Sequence, residues 1–176
     1  MSIRIFLYIL AILFANVVTA SLQPLHIGGF IIPTGTFLIG FTFIMRDLVQ
    51  NQIGRKKTYM VIVVALLLSA LSSYLLGDTL WVVFASAISF VVSETTDTEI
   101  YSRLRLPFSY RVLYSGLVGG VLDSTIFVII GISPIGTGFV PWEAVGSAIA
   151  GQVIVKSIIQ FLGAFTVGKI AMKYEL

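Results

Sequence analysis

Six apolar runs, each about as long as a bilayer is thick, fill almost all of this 176-residue chain. They cover residues 3–22, 34–53, 58–76, 79–103, 112–132 and 142–168. A spanning helix needs roughly 20 mostly apolar residues. The run at 58–76 holds no charged residue and is the clearest of the set. The pattern predicts an all-α integral membrane protein: one domain, 1–176, of six transmembrane helices. Charged residues make up 11% of the chain, against about 25% in soluble domains. Too little charge is present to dress a water-facing surface, so the lipid bilayer is the expected solvent. Any function must lie within or between the helices.

The formal charge of +3 invites a nucleic-acid reading, but the basic residues lie in short groups beside the runs. That distribution is a topology signal instead. With the N-terminus inside, Arg4, the Arg46–Arg55–Lys56–Lys57 group, Arg103, Arg105, Arg111, Lys169 and Lys173 all fall on the cytoplasmic side. Both termini are then cytoplasmic, the outer loops carry only Asp78 and Glu143, and Lys156 lies within the membrane. The first run, ending Val18-Thr19-Ala20 before Ser21, also fits a secretory signal peptide. Its length, the spans after it and Asn16 inside it favour a span. Residues 23–33, with two prolines and a Gly-Gly pair, read as an external loop or small hairpin able to cap a cavity.

Charge inside the membrane is the sharpest functional signal. Each such group costs about 2.5–3.5 kcal/mol on insertion scales and is kept where it has a partner or a task. Asp47, Glu94, Asp97, Asp123 and Lys156 lie within or close to the runs. Helical spacing groups them. Glu94, Asp97 and Tyr101 form one stripe, and Gln152, Lys156 and Gln160 another. Gly116, Gly120, Asp123 and Phe127 share a face whose small residues admit a neighbouring helix. Two readings remain. Asp123 and Lys156 are an ion pair locking two helices, or the whole set lines a pathway or binding pocket. Trp81 and Trp142 fall where interfacial anchors are expected.

Catalytic patterns are missing. The sequence has no cysteine, one histidine (His26, in the external loop), no zinc-protease motif, no nucleophile elbow and no phosphate-binding loop. The reading is therefore not an enzyme, with no metal and no cofactor.

Four blocks carry a family resemblance: GTFLIGFTFIMRDLVQNQIGR at 35–55, SETTDTEIYSRLR at 93–105, GGVLDSTIF at 119–127 and the Lys156 region. Together they resemble the putative vitamin uptake transporter family, associated with uptake of queuosine precursors. The resemblance implies a six-helix fold similar to the substrate-binding subunits of energy-coupling-factor transporters. It implies a deazapurine substrate such as 7-cyano-7-deazaguanine, its aminomethyl relative or queuine; the small size of the chain suggests a bacterial or phage-like source and a bacterial inner membrane location. Carried over by position, the implied functional residues are Asp47, Glu94, Asp97, Asp123 and Lys156, with Asn16 beside them. Two departures stand out. Arg46 precedes Asp47 where a small or uncharged residue is expected, and Gly120 stands where a polar residue is common.

A deazaguanine presents a ring N–H beside an exocyclic amine, and one carboxylate can accept both. Glu94 is the first candidate for this and Asp123 the second. Lys156 would donate to the ring carbonyl or neutralise Asp123, Gln152 lies on the same stripe, and Phe127 or Phe43 would stack on the base. Two rivals stay open: a substrate-binding subunit served by a separate ATPase, and a membrane scaffold whose charges only hold helices together. A homo-oligomer is compatible with either.

Overall fold

A computed structural model describes residues 2–174, with side chains left undescribed at 168 and 170–174. Lys173, counted above as a topology signal, lies outside the described side chains. Six helices form: α1 (Ile3–Ser21), α2 (Thr36–Ile53), α3 (Arg55–Leu75), α4 (Leu80–Arg103), α5 (Phe108–Ile126) and α6 (Trp142–Tyr174). α5 continues into a π-helical turn, Phe127–Ile132.

The boundaries have local causes. Ser2 caps α1 by accepting from the Arg4 amide, and Thr79 caps α4 by accepting from Val82. α2 and α3 are joined by Gly54 alone, at φ 79°, a left-handed conformation that glycine adopts without penalty. The 23–33 segment forms the hairpin anticipated for it. Strand β1 (Leu25–Ile27) pairs antiparallel with β2 (Phe30–Ile32) across Gly28 and Gly29, both at positive φ. β2 packs on α6 at Gly151, where a Cβ would come within 2.9 Å of Phe30 Cβ.

The helices close into a ring, packed in the order α1, α2, α6, α5, α4, α3 and back to α1. Five of them, the fifth counted through its π turn, are long and apolar enough to cross a membrane. Their outward faces are apolar, as in Phe6, Leu10 and Phe14 of α1 or Val63, Leu67 and Leu71 of α3. This composition makes the chain a multi-pass membrane protein.

α2 is the helix that falls short of that test. It carries Arg46, Asp47, Gln50, Asn51 and Gln52. The ring explains how it tolerates them, because α2 also touches α3, α4 and α5. Arg46, Asp47 and Gln50 are buried against protein, whereas Asn51 and Gln52 are exposed at the helix's C-terminal end.

One sequence assignment needs correcting. Arg46 was counted with the cytoplasmic loop between the second and third runs. It is instead fully buried within α2 and contributes nothing to a loop.

Candidate functional site: a polar cavity above a buried charge cluster

Small residues set the helix spacing. Gly40 brings α2 within van der Waals reach of the Lys156 backbone on α6. Gly116 and Gly120 of α5 face Gln160 and Lys156, so α5 and α6 approach closely along that stripe. Gly119 leaves room for the Phe43 ring and Asp97.

Inside the ring lies a cavity of about 850 Å³, its open mouth included. All the helices contribute to its wall. Asn16 comes from α1, Thr42 and Phe43 from α2, and Ser69 and Ser73 from α3. Ser86, Ser89, Ser93 and Glu94 come from α4, Asp123 from α5, and Gln152 and Lys156 from α6. Phe127 adds a ring from the π turn, and Asp78 stands in the α3–α4 loop. At the hairpin end of the lining Thr19 is exposed and Pro33 and Asp78 are half-buried, whereas Glu94, Gln152 and Lys156 are buried. The cavity therefore opens toward the hairpin.

On one wall Lys156 Nζ donates to Asp123 Oδ2 at 2.6 Å and to Ser124 Oγ at 2.8 Å. Lys156 thus neutralises Asp123, one of the two roles open to it. Asp123 keeps partial exposure to the cavity, with 14% of its side chain accessible.

Glu94 sits at the deep end and belongs to two structures at once. It lines the cavity, and its Oε2 lies 3.3 Å from Arg46 Nε. Arg46 also meets Asp47 Oδ1 at 2.9 Å and Asp97 Oδ2 more closely. Its Nη1 donates to Gln50 Oε1 at 2.7 Å and Thr98 Oγ1 at 3.2 Å. Gln50 in turn donates to Ser102 Oγ at 2.8 Å. One fully buried guanidinium therefore binds α2 to α4 beneath the cavity. Such a network holds only while complete, because removing one partner strands a buried charge.

The sequence candidates divide accordingly. Asn16, Phe43, Glu94, Asp123, Phe127, Gln152 and Lys156 line one cavity. Asp47 and Asp97 do not; both are spent on Arg46, below it. Asn16 Nδ2 is bonded to Ser69 and to Ser72 Oγ at 2.7 Å, tying α1 to α3. Arg103 and Arg55 pair with Glu99 near the C-terminal end of α4, with Arg103 mostly exposed. Arg111 stacks 4.0 Å over the Tyr101 ring. Trp81 donates to the Ile130 carbonyl of the π turn at 2.6 Å, so it braces the helices at that end as well as facing outward.

Sequence reasoning missed Arg46, Asp78 and the serine lining. The serines carried a signal: Ser86, Ser89 and Ser93 follow i, i+3, i+7 spacing on α4, and Ser69 and Ser73 are one turn apart on α3. Among the described residues no cluster of His, Cys, Asp and Glu could hold a metal ion.

The model of the putative vitamin uptake transporter family matches residues 70–169, more than half of the chain, and the chain belongs to that family. The match takes in three of the four blocks, 93–105, 119–127 and the Lys156 region; the block at 35–55 lies outside it. No curated protein and no solved structure matches the chain.

Proposed function

We propose that this member of the putative vitamin uptake transporter family imports a queuosine-type deazapurine, 7-cyano-7-deazaguanine or a close relative, bound in the polar cavity. The observation that carries the reading is the placement of the Glu94 carboxylate at the buried end of a cavity that also presents the Phe43 and Phe127 rings. A carboxylate accepts the paired donors of a 2-amino-lactam edge. Two rings in the lining favour a flat heterocycle by stacking, typically about 1–3 kcal/mol per base. Asp123 supplies a second acceptor beside Glu94, while Lys156 keeps that wall neutral. All six helices span in this reading, with both termini in the cytoplasm. The cavity then faces outward, as a bacterial inner-membrane importer requires before it releases its cargo inward.

The scaffold alternative draws support from the Arg46 network and the Asp123–Lys156 pair, in which most buried charges do hold helices together. It gives no reason for a cavity floored by Glu94. The test is thermal stabilisation of the detergent-purified protein by 7-cyano-7-deazaguanine, with guanine and a water-soluble vitamin as controls. A ligand of the folded state raises stability by mass action, about 2.7 kcal/mol at a hundred times Kd. Selective stabilisation that disappears in a folded Glu94→Gln variant is the expected result. No stabilisation by any deazapurine at saturation rules the substrate out.

A further inference from the structure

One carboxylate at the cavity mouth has no counter-charge. Asp78 lies in the α3–α4 loop, half-buried, among the lining residues. The end of α3 fixes it twice: its amide donates to Ser73 O at 3.2 Å, and its Oδ2 accepts from Ser73 Oγ. Oδ1 accepts no bond and is not sealed from solvent. Among the described residues no cation forms an ion pair with Asp78. The loops at this end, 22–35, 76–79 and 133–141, contain no Lys or Arg, and their one basic side chain is His26, exposed on β1. Asp78 stands between the C-terminal end of α3 and the N-terminal end of α4, whose dipoles offset each other there, so its own charge sets the local field. The deep end carries an excess of the same sign. Asp47, Glu94, Asp97 and Asp123 outnumber Arg46, Arg111 and Lys156.

We infer that Asp78 is a specificity-determining residue at the entrance, which draws in a ligand bearing an ammonium group ahead of a neutral one. The inference rests on the substrate class proposed above, and within it favours the aminomethyl deazaguanine, cationic at neutral pH, over the cyano compound. From Leu80 to Glu94, α4 rises about 21 Å, longer than a deazaguanine. Asp78 therefore does not touch a ligand seated on Glu94; it acts on the ligand in transit. A fixed charge at the mouth of a low-dielectric cleft raises the local concentration of the opposite charge and the rate of encounter. It leaves the seated complex alone, so entry and exit quicken together and Kd changes little. At the deep end the ammonium meets an excess of carboxylates, so its charge is not penalised there.

The experiment measures association rates of 7-aminomethyl- and 7-cyano-7-deazaguanine with the purified full chain by stopped-flow fluorescence, at low salt and in about 1 M NaCl. Parent, Asp78→Asn and Glu143→Gln are compared; Glu143 is exposed at the same end but outside the cavity lining. The aminomethyl ligand enters faster in the parent. That advantage falls roughly three- to tenfold in Asp78→Asn, with Kd little changed, and falls likewise in high salt, where the Debye length is about 3 Å. Glu143→Gln keeps it. An advantage unchanged in folded Asp78→Asn, or lost equally in Glu143→Gln, overturns the inference and leaves the substrate reading intact. So does a parent that admits the cyano ligand at least as fast. If the parent binds neither ligand, both readings fall together. The salt comparison needs no variant: an advantage that high salt leaves unchanged overturns the inference even if Asp78→Asn does not fold.

Discussion

Replacing Arg46 by methionine tests the charge cluster most directly. The guanidinium is fully buried and within ion-pair range of Asp47, Glu94 and Asp97. Methionine approximates the length of the stem but none of the charge, so three carboxylates lose their common partner. Breaking one buried pair typically costs about 3–5 kcal/mol. Most of that cost is the stranded charge and not the lost attraction, so removing charge should return part of it. Arg46→Met is expected to lose about 3–5 kcal/mol, and Arg46→Met with Asp97→Asn is expected to recover a measurable share. Lysine at this position should restore charge but not the fork that meets several acceptors at once, and should fall between. The assay is the apparent melting temperature and the monodisperse fraction of the purified protein in one detergent. Should Arg46→Met melt with the parent, or should the added Asp97→Asn deepen the loss, the cluster is not the brace described here.

Four further outcomes follow from the same structure. Asp123→Asn should destabilise the fold by leaving Lys156 uncompensated, and adding Lys156→Met should restore melting temperature without restoring deazapurine binding. Gly116→Ala should cost about 1–3 kcal/mol, typical of overpacking, because its Cβ would drive out the Gln160 amide that donates to Val112 O at 2.6 Å; equal melting would refute the close α5–α6 contact. Gly146→Ala, with no atom within 4 Å of the new Cβ, should be stabilising by about 0.5–1 kcal/mol in a helix interior. Because the chain lacks cysteine, single cysteines report topology: an impermeant maleimide should label exposed Glu143→Cys but not exposed Lys56→Cys in intact cells, and the reverse pattern would invert the orientation.

Sequence alone settles the helices because their signal is local. A run such as 58–76 has to be a helix in lipid, where every backbone polar group must find its partner within the segment. For residues 23–33 the sequence left an external loop or a small hairpin open, and the strand pairing across Gly28 and Gly29 decided between them. The polar stripes of α4 and α6 also followed from helical period, and the buried positions of Glu94, Asp97, Gln152 and Lys156 agree with it. What each polar residue faces is not a local property. Asp47 and Asp123 look alike as acids in apolar runs, yet one is buried against Arg46 below the cavity and the other borders it. Arg46 looked like a loop cation because it stands near three basic residues in sequence. Only the closing of the ring, with α2 drawn inward against α3, α4, α5 and α6, makes that arginine a buried hub. Only the packing shows that Lys156 is occupied. Helix formation depends on neighbours a turn away, whereas charge pairing depends on which helices meet, and residues 46 and 97 meet only in the folded protein.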